Sequence, residues 1–447
     1  MKRVNQIPKL TMNLRNRFRI ESYERVEKKE DIELKPLNSS SDSNEIFLNL
    51  NSENITNITT NPTITTIISA NNNNSSLFYV IKKNGCKILK AILLVILFSL
   101  IICLVIFRSR SFSSVSMYNP NITARLAYTL LDHTNIVYAL EKLDDETLAS
   151  SGNEDTIKIW NLATGELKFN LTGHFSRIGL LTKLDSNLLA SGSQDASVRI
   201  WDLTTGTTKY TFKHLSPVYS LVKLDNNLLA SGSHDKTIKI WDTLTGALKF
   251  TLKNHTDWIE SLVALENNLL ASGCNDRTIK IWDIATGQLK YTLNAHKMAV
   301  KCLVKLDSNL LASGSTDRMV KVWNITSGTI VHNLTGHSYP VYTLAKLDNS
   351  ILASGSYDKT VKLWDLTTGQ LKITLESDSG YVLSMTRLGK YHLVVGHNNG
   401  EIKLWDIKTG ELKSNVHHSG AVNALVSLND KSFASASSDK TIKVWNV

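Results

Sequence analysis

Cysteine is scarce in this chain, with four among 447 residues. Cys86 and Cys103 lie beside and inside one apolar run, and Cys274 and Cys302 stand in neighbouring stretches of a repetitive region. Such usage excludes a disulfide framework and fits a thiol-reducing compartment. Concentrated positive charge is missing as well. The net charge is +10, and residues 1–90 supply half of it, with 14 Lys/Arg against 9 Asp/Glu. The rest is dispersed, so no basic patch marks a nucleic-acid surface. No His, Cys or carboxylate set has metal-ligand spacing, and no glycine loop has the phosphate-binding pattern. Neither a metal nor a cofactor is therefore expected, and nucleic acid is not expected as a partner.

Long hydrophobic runs are absent but for one. Residues 91–107 are almost wholly apolar, and Ile88 and Leu89 extend the run to 20 residues if Lys90 snorkels toward the headgroups. Twenty helical residues cover about 30 Å, the thickness of a hydrocarbon core, so residues 88–107 are expected to form one transmembrane helix. Residues 1–87 are polar and rich in Asn, Ser and Thr, including Ser39 to Ser41 and Asn71 to Asn74. They are expected to be disordered, because they cannot bury enough surface to offset chain entropy. Residues 108–122 form a linker. Lys82, Lys83, Lys87 and Lys90 outnumber Arg108 and Arg110 across the run, which favours a cytoplasmic N-terminus. Asn-x-Ser/Thr sites occur on both sides of the run and leave the side bearing the repeats open.

Eight Trp residues, each followed by Asp or Asn, dominate the remainder. Trp160, Trp201, Trp241, Trp282, Trp323, Trp364, Trp405 and Trp445 recur at intervals of 40 or 41 residues. A fixed period of this length means an array of one small unit. Within a unit, short β-rich runs alternate with turn residues, giving four strands, a to d. His lies 27 residues before the Trp in seven units, for example His337 before Trp364. Ser lies 10 before it in seven, for example Ser354, and Asp 6 before it in six, for example Asp358. A buried indole N–H and a buried imidazole each need a partner, and the repeated hydroxyl and carboxylate supply them. Ser, His and Asp are also the residue types of a nucleophilic triad, but a triad is recognised by geometry and roles, and an enzyme rarely needs seven copies.

These positions together resemble the WD-repeat β-propeller family over residues 123–447. The resemblance implies an all-β propeller in which His337, Ser354, Asp358, Trp364 and their equivalents form a structural network inside each blade. Two units depart from the pattern. Glu154 replaces the Asp before Trp160. Before Trp405, Asp378 replaces His, Val395 replaces Ser and Asn399 replaces Asp, with Asn399-Gly400 offering a tight hairpin turn instead. The chain stops two residues after Trp445, while Arg125 to Leu131 align with a strand d that has no a, b or c before it. This segment is expected to complete the last blade and close a ring of eight, which protects the sheet edges.

In similar propellers, partner contacts come from strand a, three and five residues after the His, and from the residue before the Asp. On this chain the resemblance points to Tyr138, Arg177, Tyr219, Trp258, Glu260, Lys301, Tyr342 and Tyr381 on strand a. On the b–c turns it points to Gln194, His234, Asn275, Thr316, Tyr357 and Asn398. The set is aromatic and includes the one Trp outside the period, and Trp, Tyr and Arg are enriched at binding hot spots. Only Arg177 and Lys301 in it are cationic, so an Arg-lined phosphopeptide clamp is not indicated. Lys or Arg two residues before each Trp reads as a solvated strand position. The expected function is a non-enzymatic, membrane-tethered scaffold that binds protein partners on the propeller's top face. The competing reading is an externally facing propeller receptor or enzyme acting on carbohydrate or peptide ligands; fold alone does not choose between them.

Overall fold

The computed structural model describes residues 122–377 and 380–447, and earlier in the chain the backbone of five strands. The chain divides into two units, Met1–Tyr118 and Asn119–Val447. In the first, Ile7–Asn13 pairs antiparallel with Arg17–Tyr23. Phe47–Leu50 and Thr65–Ser69 both pair with Leu77–Lys82. These strands occupy part of the stretch expected to be disordered. The rest of that stretch, the expected transmembrane segment and most of the linker lie outside the described residues. No helix among the described residues is long and apolar enough to cross a membrane.

The second unit consists of eight four-stranded antiparallel sheets. Blade 6 shows how the sequence builds each one. Strands Val341–Lys346, Ile351–Ser356, Thr360–Asp365 and Leu371–Glu376 pair in order, a to d. Between c and d, the Asp365 carboxylate accepts from the backbone N–H groups of Thr367 (2.8 Å) and Thr368 (3.1 Å). Gly369 then turns the chain at φ +72°, a conformation open to glycine. Strand b does not alternate between buried and exposed faces. Leu352 to Ser356 are all buried, because neighbouring blades cover both faces of the sheet. That packing explains the Ala-Ser-Gly core of strand b. A Cβ on Gly355 would lie 2.5 Å from Val382 Cγ1 of the next blade.

Strand a of each blade packs against strand a of the next, around to Val422–Asn429 of blade 8 against Val137–Lys142 of blade 1. Arg125–Leu130 supplies the outer strand of blade 8, pairing with Ile442–Asn446 from Leu130↔Ile442 to Arg125↔Asn446. The expected eight-bladed closure is thus formed. It joins the two ends of the ring through backbone hydrogen bonds, so neither end is left as an open edge. The strand order also sets the two faces. The His loop, the start of strand a and the b–c turn share one face, here called the top. The a–b and c–d turns lie on the other.

Candidate functional site

The repeated polar residues assemble inside the blades. In blade 6, Trp364 Nε1 donates to Ser354 Oγ at 2.8 Å, and the same oxygen meets His337 Nε2 at 2.8 Å. His337 Nδ1 meets Asp358 Oδ2 at 2.7 Å. That carboxylate also accepts from Ser338 N (2.9 Å), Thr360 N (3.0 Å) and Thr360 Oγ1 (2.7 Å). Burial alone would raise the Asp358 carboxyl, but the bonds from His337 and Thr360 outweigh it and hold the group well below the usual carboxylate range. The Trp-to-Ser bond recurs in blades 1, 2, 3, 4, 5 and 8. Every hydroxyl in it is buried and already engaged, so the set is structural and offers no nucleophile to solvent.

The variations obey the same rule. Glu154 reaches His133 Nδ1 with one oxygen and Thr134 N and Oγ1 with the other, at 3.2 and 2.7 Å. Burial raises this carboxyl, and its hydrogen bonds bring it down to about 2. The sequence reading missed the hydroxyl two residues after the Asp, present as Ser197, Thr237, Thr278, Thr360 and Thr441. In blade 5, Met319 occupies that place, and Asp317 turns both oxygens toward His296 Nδ1, at 3.1 and 3.0 Å. His255, Cys274 and Asp276 lie close enough to share a cation. Cys274 nevertheless does what Ser356 does in blade 6, donating to a carbonyl just before strand a (Asp257 O, 3.2 Å) and accepting from the Asp276 N–H (3.3 Å). Burial pushes its thiol upward.

Blade 7 is built differently. Val395 replaces the hydroxyl and is fully buried, so it offers Trp405 Nε1 no acceptor. Trp405 is 8% exposed, against 1% for Trp364. Asp378 lies outside the described residues. Asn399 Oδ1 accepts from Glu401 N at 3.2 Å, and Gly400 turns at φ +91°, as the Asn-Gly pair implied. Asn398 Oδ1 takes the Tyr381 N–H at 2.6 Å. His397 stands where five other blades carry Ser, blade 4 has Cys274 and blade 1 has Gly152. It is buried, its Nδ1 lies 3.2 Å from Glu401 O, and burial brings its imidazole down to about 4.

One expectation is corrected. Of the eight Lys and Arg residues two before each Trp, four are not solvated strand positions. Lys158, Lys280, Lys362 and Lys403 are buried. Lys158 Nζ pairs with Asp132 at 2.6 Å, and Lys280 and Lys362 donate to Thr292 and Thr374. Lys321 donates to Ala295 O and lies 5.7 Å above the Trp323 ring. The ammonium groups of Lys280 and Lys362 thus reach strand d, while those of Lys158 and Lys321 reach the loop that leads into the His.

On the top face, the residues singled out from sequence come together in four groups. The Arg177 guanidinium lies 3.4 Å from the Tyr138 ring centre. The His234 ring meets both Tyr219 and Trp258 edge-on, at 5.9 and 3.6 Å between centres. Tyr357 is stacked between Tyr342 (4.3 Å) and Tyr381 (4.8 Å). Lys301 bridges Glu260 (2.6 Å) and Asn275 (3.1 Å). Burial raises the Tyr342 and Tyr357 phenols. Trp258 keeps 38% of its surface exposed. A cavity of about 290 Å³ lies beside the tyrosine stack, lined by Ser338, Tyr339, Tyr357, Asp358, Lys359 and Tyr381.

The loop after each His supplies apolar surface that the sequence reading passed over. Leu215 is 90% exposed, Phe175 80% and Tyr339 60%, with Met298 also exposed. Their signal was available: they stand one or two residues after the His, where other units have Thr134, Thr256 or Ser419.

Eight four-stranded blades, seven of them held by a buried Trp–Ser–His–Asp or Glu chain, define a WD-repeat propeller. The family model "WD domain, G-beta repeat" matches residues 124–161, 165–202, 206–242, 246–283, 287–324, 328–365 and 410–446. The chain belongs to that family. The stretch it skips carries most of blade 7. Among solved structures, the chain is similar to the crystal structure of the computationally designed Ika8 protein. Identity is 33% over 71% of this chain and 98% of that one, with a TM-score of 0.66. No curated protein matches the sequence.

Proposed function

We propose that the protein is a non-enzymatic interaction platform that holds protein partners on the top face of its propeller. WD40 propellers commonly mediate protein–protein interaction, and this chain concentrates its unrepeated aromatic residues where such contacts form. The observation that carries the reading is Trp258. It is the one Trp outside the blade period, and it stands half-exposed on the top face beside Tyr219 and His234. A rigid, repeated scaffold presenting variable aromatic loops is the arrangement expected of a binding surface.

The test compares partners captured by the full chain and by Trp258→Ala, with Lys290→Asn on an outer strand as control. Capture should fall at least about tenfold with Trp258→Ala, the usual weight of a hot-spot aromatic. Equal capture by both variants removes the top face as the site.

Membrane tethering belongs to the same proposal and rests on the apolar run 88–107. The chain enters the propeller at the start of Arg125–Leu130, on the face opposite the top, so a tether there leaves the top face free. Extraction of membranes with alkaline carbonate checks it; release of the full chain into the soluble fraction refutes it.

A further inference from the structure

The top face is electrostatically lopsided. In four consecutive blades, 3 to 6, the residue after the network Asp is an exposed cation: Lys236, Arg277, Arg318 and Lys359. The corresponding residues in blades 1, 2 and 7 are Asp155, Ala196 and Gly400, and blade 8 carries one further exposed cation, Lys440 at φ 71°, set apart from the run by blade 7. All four cations occupy the left-handed region, at φ 68°, 72°, 72° and 68°. This aims them out of the b–c turn rather than along the sheet. Lys253, at the end of strand d of blade 3, and Lys297, in the loop before blade 5, are exposed as well. Among the described residues, none of these six is ion-paired. The carboxylates closest in sequence, Asp235, Asp276, Asp317 and Asp358, are turned inward, where His side chains and backbone N–H groups saturate them. What a partner meets over these blades is therefore a cationic arc.

Exposed Leu215, Met298 and Tyr339 lie in the loops of the same blades, and the arc ends at Lys359 in the wall of the tyrosine-lined cavity. Several of the aromatic rings singled out on the top face are already engaged with one another. Tyr357 is stacked on both sides, Trp258 is met by the His234 edge, and Tyr138 is covered by Arg177. Single-stranded nucleic acid needs open aromatic faces on which successive bases stack. Side chains of a peptide need only apolar contact and charge complementarity.

We infer that the arc over blades 3 to 6 is a docking surface for an acidic peptide segment of a partner, one that places an apolar side chain in the cavity formed by Tyr339, Tyr357 and Tyr381. This rests on the reading that the top face binds protein partners, and it adds the chemistry of the partner and its position on the ring.

The test uses the full chain and a fluorescein-labelled Glu-rich peptide carrying one Leu and one Phe. Its Lys-rich counterpart, oligouridylate and phosphatidylserine vesicles serve as competing probes. The triple variant Arg277→Asn, Arg318→Asn, Lys359→Asn removes three charges, and Asn tolerates the left-handed backbone, so the turns stay intact. The acidic peptide should bind, the Lys-rich one should not, and the triple variant should weaken binding at least about tenfold, with a smaller salt dependence. Tyr339→Ala should weaken it further. Equal binding by wild type and triple variant overturns the inference. So does binding of oligouridylate or vesicles through these residues in place of the peptide. Partner capture that depends on Trp258 but not on the arc overturns the inference while leaving the top-face reading standing. Capture that depends on neither removes both.

Discussion

Blades 6 and 7 are neighbours with the same backbone plan and opposite ways of filling it. Blade 6 links its buried indole, hydroxyl, imidazole and carboxylate in one chain from Trp364 to Asp358. Blade 7 replaces the hydroxyl in that chain by Val395, secures its b–c turn with Asn398, Asn399 and Gly400, and buries His397 where blade 6 has Ser356. The strand registers are nearly the same in both, so the polar chain is not what makes a blade fold. Burial between neighbours does that, and the chain adds rigidity and uniqueness to it.

The largest expected effect separates the two indoles. Trp364→Ala should cost about 3–5 kcal/mol, through a core cavity and through orphaned Ser354 and His337 groups. Trp405→Ala should cost about 1–2 kcal/mol less, since its N–H has no partner on Val395 and its ring is less buried. Denaturant midpoints of the two variants measure this. Equal losses would mean that the polar chain contributes nothing beyond packing.

Acid should divide the blades next. Because burial depresses His397 from its usual 6.5 to about 4, the unfolded chain binds the proton more readily. Its contribution is complete above about pH 6.5 and is lost as pH falls through 4, by on the order of 3 kcal/mol in full. His174, His255 and His418, also pushed down by burial, act in the same direction. The depressed Asp358 carboxyl acts lower, its stabilisation being present above the ordinary carboxylate pKa near 4 and lost below it. Hydrogen exchange at pH 7 and pH 5 should therefore show blade 7 loosening more than blade 6, and His397→Ser should flatten the difference. Uniform loosening would contradict it.

The smallest expected effect is a gain. Met319→Thr would give Asp317 the hydroxyl donor that Thr360 gives Asp358, worth about 0.5–1 kcal/mol if the lost methionine packing is small. A lowered midpoint would show that Met319 packing outweighs the bond.

The networks and the ring closure were legible because they rest on strict spacing. Positions 27, 10 and 6 before each Trp must share one blade if the unit repeats, and an orphan strand d has one place to go. The rebuilt blade was legible from three coincident substitutions, and its turn from Asn399-Gly400. The buried lysines were not. Strand c alternates in sequence as a solvated strand would, and nothing local says that strand d and the adjacent blade cover Lys362. The top-face groups were legible as a list, whereas the stacking of Tyr357 between Tyr342 and Tyr381 depends on how far neighbouring blades rotate. The cationic arc was overlooked because each Lys or Arg sits beside an Asp in sequence and looks neutralised; only the fold turns one inward and the other out.

The amino-acid sequence alone determined the kind of unit, its number and the way the ends meet, since periodic burial and hydrogen-bond demand leave few alternatives for a chain with this spacing. The tertiary structure alone decided which side chains of different blades touch, which charges are consumed inside and which face solvent. Those are relations between residues about 40 positions apart in the chain, and they exist only once the ring has closed.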